Sequence, residues 1–266
     1  MKHIAWLTDI HLDFLDAHEI DAFCSGVAHS GTDAVLLGGD ISNAPGIREH
    51  LLLLERHLQR PIYFVLGNHD FYGSSIVGIR SIAASLARDS RWLHWLPNVG
   101  IAELTENTGL LGHGGWADGR LGNAARSEVL LNDYLYIDEF IGLSQQARFA
   151  RLNALGDECA DYLRGVLPAA VESFRHLLLL THVPPFRVSC WHEGRIFDDE
   201  FLPHFACRAV GDVLVETMQK HPECDLTVLC GHTHSPGEAI ILPNLLVRTG
   251  GAVYGSPCIQ ELIAID

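Results

Sequence analysis

Apolar and polar positions along this chain fall into blocks whose lengths separate strands from helices. Short apolar runs occupy Ile4–Thr8, Ala34–Gly39, Ile62–Gly67, Leu177–Thr181 and Leu226–Gly231, and runs of this length read as strands. Residues 17–29, 47–59 and 74–88 instead place apolar residues at helical spacing, as in Leu51, Leu54 and Leu58 or Ile76, Ile79, Ile82 and Leu86. This β-α-β-α-β opening predicts a parallel sheet with helices on its faces.

The pattern then changes. Residues 99–113 read as short strands, while 114–143 are rich in Gly, Asn and Asp and lose their periodicity. A long irregular stretch of that kind is usually a functional loop or lid. Helical spacing returns over 144–175, with a break expected near Pro168. A second irregular insert covers 183–206, a helix covers 207–220, and 237–266 reads as a small β-meander. No repeat, low-complexity tract or linker divides the chain, so 1–266 is expected to form one domain with lids at 114–143 and 183–206.

Each of the five strand-like runs ends in a metal-binding type of residue: Asp9 and His11, Asp40, Asn68-His69-Asp70, His182, and His232 with His234. The carboxyl ends of parallel strands lie along one edge, where ligands bind. Asp9 and His11 stand two apart, which in a regular strand puts both on one side. Gly38 and Gly39 let the chain turn before Asp40, and Asp70 is placed to fix the tautomer of His69. Any one of these pieces also fits a turn, a helix cap or a structural histidine. Together they offer enough carboxylate, amide and imidazole donors for two divalent ions, which makes a two-metal hydrolytic site the leading reading.

Composition narrows the context. No run reaches the ~18–20 apolar residues of a membrane span. The N-terminus passes straight into the strand that carries Asp9 and His11, without a signal-peptide pattern, so a cytoplasmic protein is expected. Seven cysteines, irregularly spaced and without a C-x-x-C pair, read as reduced thiols rather than a disulfide framework. The formal net charge is −15 and only Lys2 and Lys220 are lysines. A protein tracking a nucleic-acid backbone normally carries a basic stripe, and none is visible.

The ordered set D-x-H, G-D, G-N-H-D, H and G-H-x-H resembles the calcineurin-like metallophosphoesterase superfamily, through Asp9/His11, Gly39-Asp40, Gly67–Asp70, His182 and Gly231–His234. The resemblance spans nearly the whole chain. It implies an α/β fold, a two-sheet β-sandwich flanked by helices, with the active site at the strand C-terminal ends. It also implies that Asp9, His11, Asp40 and His234 hold one metal and that Asp40, Asn68, His182 and His232 hold the other, with Asp40 bridging. His69 would stay off the metals and assist the leaving group, oriented by Asp70. Two cations roughly 3.5–4 Å apart neutralise an anionic ester and lower the pKa of a shared water toward ~7, giving a hydroxide that attacks phosphorus in line. Imidazole with carboxylate suits Mn, Fe or Zn, and the residues do not choose among them.

Departures from subfamily patterns are informative. Asp40-Ile41-Ser42-Asn43 lacks the D-R-G continuation of protein Ser/Thr phosphatases, and D-x-H replaces the D-x-G of purple acid phosphatases. His69 stands where lipid A pathway pyrophosphatases typically carry Arg. What remains resembles the small bacterial-type phosphoesterases and cyclic-nucleotide phosphodiesterases.

The inserts are expected to set substrate choice. His113 and Trp116 lead into the first; Trp116 is able to stack on a base or sugar, or to sit in the core. Arg120 and Arg126 fit an anion contact or a solvated surface. Arg187, Trp191, His192 and Arg195 follow His182 closely and are pocket candidates, Trp191 for an organic group and Arg195 for a phosphate. Ser127 and Asn132 have only their place in the lid. The expected reaction is hydrolysis of a small phosphomonoester or phosphodiester, with no nucleic-acid polymer and no membrane as partner. The alternatives are a DNA nuclease of the double-strand-break repair type, which would need a basic face, and a non-catalytic scaffold, which would normally have lost ligands.

Overall fold

The apolar runs form the inner strands of two sheets that face each other. The computed structural model describes all of residues 1–266. In chain order, β1 (Lys2–Leu7), α1 (Ala17–Ala28), β2 (Ala34–Gly38), α2 (Ile47–Leu58), β3 (Ile62–Val65), α3 (Ile76–Asp89) and β4 (Leu93–Trp95) make the expected opening. A short helix, α4 (Leu96–Val99), leads to β5 (Ile101–Glu103) and β6 (Thr108–Gly112). The first insert contains α5 (Asp133–Tyr136) and is followed by α6 (Gln145–Ser173) and β7 (His176–Leu180). The second insert carries a small hairpin, β8 (Trp191–His192) and β9 (Arg195–Ile196). Then come α7 (Arg208–Met218), β10 (Asp225–Cys230), β11 (Gly237–Leu242), β12 (Leu245–Thr249) and β13 (Glu261–Ile265).

One sheet has the order β13-β1-β2-β3-β4 and the other β11-β12-β10-β7-β6-β5. Strands β1 to β4 run parallel, as do β6, β7, β10 and β12. Strands β13, β5 and β11 join antiparallel at the edges.

The period of two along each strand sorts side chains between two buried layers. Ile4, Trp6, Leu36, Val65, Leu178, Leu180 and Leu229 fill the space between the sheets. Their neighbours Ala5, Leu7, Val35 and Leu37 face the helical layer of α1 to α3, and Leu177, Leu179 and Val228 face that of α6 and α7. Strands covered on both faces have no polar side to display, which is why they read as unbroken apolar runs. The parallel registers keep the strand ends level, with Leu7 beside Leu37, Gly38 beside Val65, and Leu229 beside Leu180.

Three sequence expectations are corrected. Helix α6 runs unbroken through Pro168. A missing N–H costs one helical hydrogen bond, about 3 kcal/mol with the ring clash, and burial of Leu163, Leu167, Ala170 and Val171 offsets it. The C-terminal segment is not a meander. β12 pairs parallel with β10, and β13 crosses to the other sheet beside β1. Finally, β1 ends at Leu7, so Asp9 and His11 share a side through left-handed backbone in a turn rather than through strand alternation.

Candidate metal centre

The loops that leave β1, β2, β3, β7 and β10 meet above the level strand ends and brace one another through backbone hydrogen bonds. Asp9 N–H donates to Gly39 O at 3.0 Å, His11 N–H to Asp40 O at 3.0 Å, and Gly231 N–H to His182 O at 2.9 Å. Asp9, His11, Asp40, His232 and His234 all have positive φ, between 41° and 70°. Asp and His visit this region more readily than most residues, yet each instance costs about 1 kcal/mol or more. Two glycines permit the close approach of these loops. A Cβ at Gly67 would overlap Asp40 Oδ1 and crowd His182, and one at Gly231 would overlap Asp9 Oδ2.

The donors form two adjoining groups around Asp40. In the first, ligand atoms of Asp9, His11, Asp40 and His234 all lie within 4.8 Å of one another. His11 Nε2 is 3.1 Å from His234 Nε2, and His234 Nε2 is 3.3 Å from Asp9 Oδ1. In the second, His182 Nε2 lies 3.0 Å from Asn68 Oδ1 and 3.4 Å from Asp40 Oδ1, and the rings of His182 and His232 are 5.0 Å apart.

Hydrogen bonds outside these groups fix which atoms point inward. His182 Nδ1–H donates to Gly38 O at 3.0 Å, so its Nε2 carries a lone pair. That lone pair faces two further oxygens, Asn68 Oδ1 and Asp40 Oδ1. His232 Nε2 meets His204 O at 3.3 Å, leaving Nδ1 as its free acceptor. Asn68 Nδ2 donates to Asp133 Oδ1 at 2.8 Å, which turns the amide oxygen toward His182. Facing lone pairs in a buried site are repulsive, and a cation between them removes the repulsion.

The electrostatics point the same way. Burial, with neighbouring imidazoles, pushes the pKa of His11, His69 and His232 down to about 3 and lowers that of His182. These rings are therefore neutral and able to ligate. Burial raises Asp40 above the usual carboxylate range, reinforced by Asp9 and Asp70. Burial would also raise Asp9, but hydrogen bonding with His234 and Thr8 holds it well below. On these grounds the donor set fits two hard or borderline divalent ions.

A family model of calcineurin-like phosphoesterases matches residues 2–236. The chain belongs to that family. It is a metal-dependent phosphoesterase, and the family works through a binuclear metal centre. No curated protein sequence matches it. Solved structures that share its fold at low identity include these three. A phosphopantetheinyl hydrolase from Mycobacterium tuberculosis is 15% identical, with a TM-score of 0.65, covering 94% of this chain and 89% of its own. A dimetal phosphatase from Danio rerio is 16% identical, with a TM-score of 0.57, covering 96% and 89%. The protein TT1561 of Thermus thermophilus is 12% identical, with a TM-score of 0.57, covering 94% and 89%.

A cavity of about 330 Å³ opens over the centre of this phosphoesterase, lined by Asp40, Asn68, His69, His232 and His234 among others. His69 Nε2 stands 4.0 Å from Asp40 Oδ2, and its ring stacks on Tyr72 at 4.3 Å. Asp70 does not orient it. Its two oxygens accept from the backbone N–H groups of Ile41, Ser42 and Gly67, so it ties the β2 loop to the β3 loop.

Most expected substrate contacts lie elsewhere. Trp116 packs in the core against Phe71 and Phe140. His113 is buried against Tyr162, with Nδ1 accepting from Gly115 N–H at 3.2 Å. Arg187 is paired with Asp199 at 2.6 Å, and Arg120 with Asp118 and Asp157. Trp191 is packed over Gly237. Arg195 is exposed and lines a neighbouring cavity of about 250 Å³ that shares only His192 and Phe197 with the central one.

The inserts nevertheless reach the site. The first supplies Leu131, Asn132 and Asp133, and the second His192, Phe197 and Phe205. Tyr254 comes from the loop before β13 and lies 4.5 Å from the His11 ring. Asp133, Phe197, Phe205 and Tyr254 carry no motif. Their only sequence signal is membership of irregular segments, and for Tyr254 not even that was distinctive.

Proposed function

We propose that this chain hydrolyses a small phosphomonoester or phosphodiester at a centre of two metal ions bridged by Asp40. On this reading Asp9, His11, Asp40 and His234 hold one ion, and Asp40, Asn68, His182 and His232 the other. The observation that carries the assignment is the convergence of the His182 Nε2 lone pair, Asn68 Oδ1 and Asp40 Oδ1 on one buried space. When bound, the ions supply charge neutralisation of the ester and an acidified water as nucleophile.

The protein's own groups do the rest. Asn68 and His182 are held in one orientation by Asp133 and Gly38 O. His69 lies beside Asp40 at the cavity wall without a ring hydrogen bond to the protein, so its N–H is free to donate to the leaving oxygen. Tyr72 keeps its plane by stacking. A polymeric nucleic acid is disfavoured by the net charge of −15 and by a cavity without Lys or Arg in its lining. No helix is long and apolar enough to cross a membrane.

The test is metal analysis of purified protein combined with a panel of aryl phosphates, bis-aryl phosphates, cyclic nucleotides and single-stranded DNA. The reading requires two ions per chain and turnover of a small ester. One ion per chain with full activity, or cleavage of DNA alone, would overturn it.

A further inference from the structure

We infer that the preferred substrate is a phosphodiester with a single negative charge and two organic arms, at least one of them planar, rather than a dianionic phosphomonoester. This rests on the phosphoesterase reading above and deepens it.

Charge is the first ground. None of the fifteen residues lining the central cavity is Lys or Arg, and its charged members, Asp40 and Asp133, are both carboxylates. Two divalent ions would bring four positive charges, and Asp9, Asp40 and the ionised nucleophilic water would offset three of them, leaving one. The second charge of a monoester then needs a further cation, for which a bidentate Arg is the usual partner. No arginine of the inserts lines the central cavity, exposed Arg126 included. Arg187 and Arg120 are held in ion pairs, and Arg195 opens on the neighbouring cavity. A monoanionic diester leaves no such charge unmet.

Shape is the second ground. The centre has an aromatic wall on each side. Tyr254 lies over the first metal group, 4.5 Å from His11 and 5.0 Å from His234, and 6.1 Å from His69. Phe205 lies against the second, 4.8 Å from His232. Phe197 extends that second wall, stacked on Phe205 at 4.5 Å and on His192 at 4.6 Å with only 9° between the latter rings. Tyr254 is 46% exposed, so much of its ring is unoccupied by protein. Flat apolar faces of this kind suit stacked or apolar groups. A monoester has one organic arm and would use one wall, whereas a diester has two and uses both.

Matched esters test this. The Mn-loaded protein is assayed with 4-nitrophenyl phosphate and with 4-nitrophenyl phenyl phosphate, which share a leaving group. We expect kcat/KM to favour the diester by about tenfold or more. Calorimetry with two non-hydrolysable ligands, methylphenylphosphinate as the monoanion and phenylphosphonate as the dianion at pH 8, should show the phosphinate bound more tightly. Asn132 lines the cavity and its side chain makes no hydrogen bond to the protein, so Asn132→Arg adds a cation there and should narrow the diester preference several-fold. Equal or better turnover of the monoester, with the phosphonate bound more tightly, overturns the inference and leaves the phosphoesterase reading standing. Hydrolysis of neither ester by protein carrying two ions removes both.

Discussion

The amide nitrogen of Asn68 donates to Asp133 Oδ1 at 2.8 Å, so a residue of the first insert decides which end of Asn68 faces the metal centre. Tyr72 Oη donates to the same oxygen at 2.6 Å. Asp133 is buried, and its side chain joins the insert to the loop after β3. Removing it takes away the carboxylate that anchors both groups and leaves Asn68 Nδ2 with only its 3.2 Å bond to Tyr72 Oη.

Asp133→Ala should weaken the second metal site by about 10–100-fold, the usual cost of losing a group that orients a ligand. Asp133→Asn keeps an oxygen that can accept both bonds and should be milder. Metal titration followed by elemental analysis reads this directly. Equal metal affinity in wild type and Asp133→Ala would mean that Asn68 needs no such support.

Removal of metal should destabilise the protein. Asp9 and Asp40 are buried side by side among the ligand imidazoles, and bound cations would offset their charge. Ligand at about a hundred times its Kd contributes about 2.7 kcal/mol, and a protein of this size shifts by about 2–4 °C per kcal/mol. Chelation should therefore lower Tm by several degrees. Asp40→Ala should lose most activity and most of the second ion, yet respond far less to chelator. A variant with unchanged turnover and two ions would end the bridging role.

His69→Ala should separate leaving groups. Alkyl esters should slow by about 10²–10⁴-fold, as expected for lost general-acid assistance, and activated aryl esters far less. Metal content should hold, because His69 lies at the cavity wall outside both donor groups. A uniform loss across leaving groups would remove it from that role.

The legible part of this molecule is the part whose chemistry is local in sequence. Ile4–Thr8 and its counterparts had to be inner strands, and Asp9, His11, Asp40, Asn68, His182, His232 and His234 had to stand at their ends. Neither statement depends on how the inserts fold. The contacts of Asp70 are different. Next to His69 in sequence, it turns away because three backbone N–H groups offer a buried carboxylate more than one imidazole does. Trp191 and Arg195 follow His182 closely, but the hairpin that carries them directs Trp191 onto Gly237 and Arg195 outward. Asp133, Phe205 and Tyr254 reach the site only through tertiary packing, which no spacing encodes.

Buried His113 should make stability fall with acid. Burial, with Arg80 nearby, pushes its pKa down to about 3 from the ordinary value of 6.5. The folded state therefore holds it neutral, while the unfolded chain takes up a proton below 6.5. Its contribution is fully present above pH 6.5 and is lost on acidification toward pH 3, at about 1.4 kcal/mol per pH unit. His113→Gln should remove that slope. Urea unfolding of metal-free protein at pH 8, 6 and 5 checks it: the stability gap between wild type and variant should change with pH. A constant gap would show that His113 is not held neutral.

His204 should couple both inserts to the second metal group. Ser127 Oγ donates to Glu200 O at 2.8 Å, so it accepts from His204 Nε2–H, also at 2.8 Å. Nδ1 then accepts from Tyr134 Oη at 2.5 Å. One imidazole thus clamps the first insert to the second, while its own carbonyl receives His232 Nε2 at 3.3 Å. His204→Ala should free both segments and loosen His232 together. Limited proteolysis should speed up within 114–143 and 183–206, KM should rise more than kcat falls, and the second ion should bind more weakly. Ser127→Ala should give a weaker form of the same three changes, since one hydrogen bond is typically worth about 1 kcal/mol. Faster proteolysis in His204→Ala with metal affinity unchanged would confine His204 to holding the inserts and would detach His232 from it.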